Sequence, residues 1–226
     1  MISDIHSNLD ALEAVADEIP KGTPTLCLGD IVGYGPQPNE VVEALQGLKP
    51  LAVLMGNHDY AVVTGDVQGF STYAATAIAW TRKHITATNM QFLSNLFSEA
   101  RLELEGIPIA LYHGSPRDSL FEYVYPMSND EEVESLIKTS MCKVVLLGHT
   151  HIPMRFSVKG RILANPGSVG QPRDGNPSAS IGFLSVSAGE VAFNHKRVKY
   201  DVESAAAKII QSGLPSFLAN RLYEGM

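Results

Sequence analysis

Short apolar, β-branched runs alternate along this chain with stretches of helical periodicity, and each apolar run stops at a small polar cluster. Ile2 to Asp4 reads as the end of a strand, and Thr25 to Leu28 and Leu51 to Met55 read as two further buried strands. Between them, Leu9, Leu12, Val15, Ala16 and Ile19 recur at helical spacing behind Asn8, an N-cap by residue type. Asn39 to Leu48 predicts a second amphipathic helix. This β-α-β-α-β order implies a parallel sheet with crossover helices. Residues 60–98 read as helical, with Ser71 to Ile85 the strongest segment. Leu102 to Glu105 and Ile107 to Tyr112 predict a hairpin. Ser128 followed by Glu131 resembles a capping box for a helix to about Thr139. Val144 to Leu147 is another buried strand. Met154 to Val158, Arg161 to Ala164, Ser180 to Ser187 and Glu190 to Tyr200 read as short strands with turns at Lys159-Gly160 and Ala188-Gly189, which predicts a largely antiparallel sheet in the second half. Val202 onward reads as one or two helices. No repeat or linker divides the chain, so residues 1–226 are read as one domain with two sheets.

Composition narrows the function classes. A net charge of −7 argues against a stable nucleic-acid coat and against an anionic membrane surface as partner. No apolar run is long enough to span a membrane. The two cysteines, Cys27 and Cys142, lie in or beside apolar runs, as reduced packed thiols would, and with no secretory leader they point to the cytoplasm. Nothing in the composition opposes a homo-oligomer.

The candidate chemistry lies in the polar clusters. His149 and His151 follow Gly148 with one residue between them, so in extended chain both imidazoles project to one side, just past a strand end. The other strand ends carry Asp4 and His6, Asp30, Asn57 and His58, and His113. Setting His58 aside, three carboxylate or amide oxygens and four imidazoles remain, too many for one ion and about right for two. The donor set suits Mn, Fe, Zn, Co or Ni, and the lack of a cysteine among them disfavours a soft thiolate site. A carboxylate can bridge such a pair, whose ions sit roughly 3.5–4 Å apart.

These blocks, Asp4-Ile5-His6, Gly29-Asp30, Gly56-Asn57-His58-Asp59, His113-Gly114 and Gly148-His149-Thr150-His151, stand in the order found in the calcineurin-like metallophosphoesterase superfamily, which the sequence resembles. Asn165-Pro166-Gly167-Ser168 is similar to a return loop of its compact prokaryotic phosphodiesterase branch. The resemblance implies a four-layer α/β/β/α sandwich of two mixed sheets. It implies two divalent transition-metal ions, Mn favoured: Asp4, His6 and His151 on one, Asn57, His113 and His149 on the other, and Asp30 bridging. It implies in-line attack on phosphorus by a metal-bridging hydroxide, with His58 assisting the leaving oxygen. Asp59 either orients His58 or begins the next helix. Arg117 and Arg173, in Gly/Pro-rich loops past strand ends, are candidate phosphate clamps, and Tyr34 a candidate pocket wall. His84 and His195 read as surface residues and Trp80 as core. The phosphoprotein-phosphatase branch has a second Asp and an Arg where this chain has Gly33 and Tyr34. That departure points to a small phosphodiester, nucleotides included, as substrate. The alternatives are a phosphomonoester, a phosphoprotein or a dinucleoside polyphosphate. An interaction scaffold of the same fold lacks the catalytic histidine that His58 matches.

Overall fold

The computed structural model describes residues 1–226. In chain order the elements begin with α1 (Leu9–Asp17), β1 (Leu26–Cys27), α2 (Pro38–Gly47), β2 (Ala52–Val53), α3 (Asn57–Thr64), α4 (Thr72–His84) and α5 (Ala87–Ser94). There follow β3 (Glu99–Leu104), β4 (Ile107–Tyr112), α6 (Asp130–Ser140), β5 (Val144–Leu146), β6 (Met154–Val158) and β7 (Arg161–Asn165). The chain closes with β8 (Ala179–Ser187), β9 (Glu190–Val198), α7 (Val202–Gln211) and α8 (Ser216–Glu224). No helix is long and apolar enough to cross a membrane.

Helix starts follow side-chain chemistry. Asn8, Ser71, Thr86, Asn129 and Asp201 each accept a hydrogen bond from a backbone N–H of the first turn they precede. The cap of α6 is thus Asn129, one residue beyond the Ser128 that the capping-box pattern suggests. The helical stretch expected over residues 60–98 is three helices. Gly65, with φ +84°, ends α3, and β-region Ile85 ends α4.

The two sheets face each other. β1 and β2 pair in parallel, and Ile2 bridges to Cys27 beside them, so the first strand is reduced to one bridged residue. The second sheet has the order β3-β4-β5-β7-β6, with β4, β5 and β7 parallel at its centre and antiparallel edges. The expected antiparallel sheet of the second half is therefore divided. The β8–β9 hairpin leaves it and joins the first sheet, because Gly182 donates to the Met1 carbonyl at 2.9 Å. Leu26, Leu28, Leu54, Ile109, Leu111, Leu146 and Phe193 fill the layer between the sheets. Truncating one such buried leucine to alanine costs about 2–5 kcal/mol. Helices α1, α2 and α5 cover the first sheet, and α6 covers the second. The result is the four-layer α/β/β/α sandwich. Its parallel strands all end at one edge, where the site lies.

Candidate metal centre

Ile2, β1 and β2 from one sheet and β4 and β5 from the other deliver Asp4 and His6, Asp30, Asn57, His113, and His149 and His151 to one place. All seven are buried. The chain turns sharply at each strand end. Asp4, His6, Asp30, Tyr34, His149 and His151 all adopt left-handed φ between 51° and 68°. Side chains other than glycine rarely hold that conformation, and such strain collects at sites where the fold over-determines the backbone. The Asn165 loop supplies the restraint. Asn165 Nδ2 donates to the Gly148 carbonyl, Ser168 Oγ donates to the Asp4 carbonyl at 2.7 Å, and Gly170 N–H donates to it at 2.9 Å. Gly56 is required by close approach, since a Cβ there would lie 2.1 Å from Asp30 Oδ1.

The ligand atoms fall into two groups that share Asp30. Asp4, His6, Asp30 and His151 form one and Asp30, His113 and His149 the other; in each, the ligand atoms lie within 4.8 Å of one another. Asp30 Oδ2 stands 3.5 Å from His6 Nε2 and 3.4 Å from His113 Nε2. Asn57 Oδ1 joins the second group, 3.1 Å from His113 Nε2.

The tautomers show that these groups fit metal ions. The Nδ1 atoms of His6, His113 and His151 meet the carbonyls of Val32, Leu28 and Gln171 at 3.2, 2.8 and 2.5 Å. A carbonyl takes only a donor, so each Nδ1 carries hydrogen, and in the neutral rings of His6 and His151 Nε2 offers a lone pair. His6 Nε2 and His151 Nε2 then face each other at 3.1 Å with no hydrogen between them. Asp4 Oδ1, 3.3 Å from His151 Nε2, is buried with no hydrogen-bond partner. Converging lone pairs without a donor are repulsive unless a cation lies between them.

Charge follows the same plan. Burial pushes His6 and His151 well below the usual imidazole range and His149 down to about 3, so they are neutral ligands near pH 7. Burial works against the charged form of Asp30, yet His113 and His58 overcome it and hold the carboxyl well below its usual range. Burial likewise lowers His113, but the Asp30 charge prevails and raises it to about 9. Burial, opposed chiefly by the charge on His113, raises Asp4 to about 7.

The residues around the ligands sort differently from the sequence expectation. His58 is buried, with Nδ1 unpartnered. Its ring lies 4.4 Å from Tyr34 and 5.0 Å from Phe70, centroid to centroid. Gly33 sits directly against it: a Cβ there would be 2.6 Å from His58 Nδ1. The space that an orienting Asp would need is filled by the imidazole. Asp59 does not reach the ring. Its carboxylate accepts from the N–H groups of Gly56 at 2.9 Å, Ile31 at 3.0 Å and Val32 at 3.0 Å, clamping the Asp30 turn to the start of α3. Burial and the Asp30 charge raise Asp59 to about 7 against those donors. Asp59 thus clamps backbone at the start of α3 and makes no hydrogen bond to His58 Nδ1. Arg117 is also corrected: it pairs with Glu122 at 2.5 Å and Glu132 at 3.6 Å and stays out of the cleft. His84 stacks on Trp80 at 3.8 Å, and Trp80 packs against the α7–α8 cluster.

The ligands open into a cleft of about 530 Å³ lined by Tyr34, Phe70, Phe121, Tyr123 and Arg173, as well as Arg221 from α8. Tyr123 stacks on His149 at 3.8 Å. Tyr34 and Arg173 thus line the cleft. Sequence reasoning missed Phe70, Phe121, Tyr123 and Arg221. The alternating aromatics at positions 121, 123 and 125 after His113 were an available signal. Arg221 had none, because its placement depends on how α8 docks. Burial, reinforced by the charge on Arg173, lowers Arg221 to about 10.

Comparison with known proteins follows the same lines. An uncharacterized protein of Methanocaldococcus jannaschii, MJ0912, is 37% identical, over 100% of this chain and 97% of its own. A solved metallophosphoesterase from Sphaerobacter thermophilus has a TM-score of 0.84 at 34% identity, covering 100% of this chain and 97% of that one. The hypothetical protein PH1004 from Pyrococcus horikoshii OT3 has a TM-score of 0.90 at 21% identity with the same coverage, a likeness of fold alone. Residues 1–189 match the calcineurin-like phosphoesterase superfamily domain. A sequence match over most of the length, joined to strand ends that present two groups of metal-ligand side chains, makes this chain a member of the calcineurin-like phosphoesterase superfamily of metal-dependent phosphoester hydrolases.

Proposed function

We propose that the chain is a dinuclear metal-dependent phosphodiesterase acting on small diesters, nucleotides among them. The carrying observation is that two metal-ligand groups share Asp30 at one end of a cleft walled by Tyr34, Phe70, Phe121 and Tyr123. Asp4, His6, Asp30 and His151 would hold one ion, and Asp30, Asn57, His113 and His149 the other; the nitrogen and oxygen set suits divalent transition metals, and the family resemblance favours Mn. When bound, two divalent cations supply paired Lewis acids that activate water and neutralise charge on the phosphoryl oxygens.

The chain's own residues do the rest. His58 lines the cleft with Asp30 and carries an N–H that serves the leaving oxygen. The aromatic walls offer flat apolar surface to an ester arm such as a nucleobase. Gly33 and Tyr34 provide no charged partner for the second negative charge of a phosphomonoester.

The test compares kcat/KM for bis-p-nitrophenyl phosphate, p-nitrophenyl phosphate and a phosphopeptide at one metal and one pH. Preference for the diester is expected, together with two metal ions per chain by elemental analysis. Preference for the phosphopeptide, or a single ion in fully active protein, overturns the reading.

A further inference from the structure

Tyr34 stands where the phosphoprotein-phosphatase pattern has arginine, and its ring is flanked by two guanidinium groups from elsewhere in the chain. Arg173, in the loop after Ser168, has its guanidinium carbon 5.9 Å from the Tyr34 ring centroid, and Arg221 on α8 has its own at 5.6 Å. The Tyr34 ring in turn lies 4.7 Å from that of His6, centroid to centroid, so both cations are one aromatic ring from the metal-ligand cluster. Both line the cleft.

Neither arginine is paired with an Asp or Glu side chain. Arg173 Nη2 donates to Gln171 Oε1 at 3.1 Å and approaches Tyr34 Oη at 3.4 Å. Arg221 Nε donates to the main-chain oxygen of Met226, the last residue of the sequence, where the α-carboxylate stands, and its Nη groups remain toward the cleft. Arg173 Nε is buried with no hydrogen-bond partner. Of the residues lining the cleft, Asp30 alone has a carboxylate, and it lies between the two metal-ligand groups. Two half-buried guanidinium groups against one aromatic ring, one of them with a buried unpartnered Nε, are incompletely solvated. A protein keeps such an arrangement at a cleft wall when an anion completes it. The planar fork of each guanidinium suits phosphate oxygens.

We propose that Arg173 and Arg221 form a subsite for a second anionic group, carried by the substrate beside its scissile phosphate. The substrate class is then a phosphodiester bearing a further phosphate, such as an ester of a nucleoside bisphosphate. This rests on the phosphodiesterase reading. It supplies from a loop and a C-terminal helix the cationic help that Gly33 and Tyr34 do not give.

Two diesters isolate the effect. The 5′-p-nitrophenyl ester of thymidine 3′,5′-bisphosphate and p-nitrophenyl thymidine 5′-phosphate share leaving group and scissile bond and differ by one remote phosphate. The wild-type protein is expected to favour the first by about tenfold or more in kcat/KM, mainly through KM, as a charge-assisted hydrogen bond allows. Arg173→Gln and Arg221→Gln should each collapse that ratio, and Arg221→Lys should restore part of it. Equal wild-type kcat/KM for the two diesters overturns the proposal, as does a ratio that survives both glutamine variants. A wild-type preference for p-nitrophenyl phosphate that the variants abolish also overturns it, because the arginines would then read the second charge of the reacting phosphate itself. Calorimetric titration with thymidine 3′,5′-bisphosphate and thymidine 5′-monophosphate needs no turnover. If neither diester is hydrolysed but the bisphosphate binds more tightly and loses that advantage in the variants, the subsite stands and the phosphodiesterase reading falls. If an Arg221 variant does not fold, Arg173→Gln and the wild-type ratio decide the matter.

Discussion

Asp59 immediately follows the catalytic candidate His58, yet it faces away from the chemistry, and the Asp59→Ala variant separates the two roles. The substitution leaves the N–H groups of Gly56, Ile31 and Val32 without their acceptor, at a site where Asp59 is fully buried. An orphaned buried donor costs about 1–3 kcal/mol. Three of them sum to about 3–9 kcal/mol, and water entering the vacated space brings the loss toward about 3–5 kcal/mol. In a domain of this size each kcal/mol moves Tm by about 2–4 °C, so a drop of about 6–20 °C is expected. Differential scanning calorimetry should show it both in chelator-treated and in metal-loaded protein, because the clamp holds backbone and not metal. Asp59→Asn keeps one acceptor oxygen and should fall between alanine and wild type. An Asp59→Ala protein that melts within about 2 °C of wild type, while its turnover falls most for poor leaving groups, would refute the clamp and return Asp59 to orienting His58.

Three further outcomes are expected. His58→Ala should keep its metal content and lose roughly 10²–10⁴-fold in turnover, with a smaller loss for nitrophenolate leaving groups; loss of a metal ion would contradict the assignment. Gly170→Ala places a Cβ 1.8 Å from the Ile5 carbonyl oxygen, so the strand end that carries Asp4 and His6 must shift. It should cost about 3 kcal/mol or more in urea unfolding, whereas Gly106→Ala, with nothing within 4 Å but φ +77°, should cost about 1–2 kcal/mol; equal midpoints would refute the close-approach argument. Burial raises the Cys27 thiol to about 12, so Cys27 should resist a disulfide-exchange reagent at pH 8 in native protein and react after denaturation, read by mass spectrometry of the labelled peptides.

The gathering of the candidate ligands at one edge was legible in the sequence because each sits within a few residues of a strand end. A buried parallel strand runs in a fixed direction, so Gly148-His149-Thr150-His151 after Val144–Leu146 and Gly29-Asp30 after Leu26–Cys27 had to emerge at the same edge. Helix starts were legible for a similar reason, since Asn8 and Ser71 cap by contacts three residues long. The partner of the β8–β9 hairpin was not legible. Backbone hydrogen bonds carry no residue identity, so its alternating pattern suited either sheet, and only the Met1–Gly182 pairing placed it on the first. Nor was it legible which arginines face the cleft. A long side chain reaches whatever its element docks against: Arg117 found Glu122 and Glu132, while Arg221 was carried to Tyr34 by the packing of Leu218 and Leu222 on α8. The types and strand-end spacing of the candidate ligands are local, so the chain alone carries them. The shape and charge of the cleft around them come from the packing of distant elements, because they depend on contacts between residues far apart in the chain.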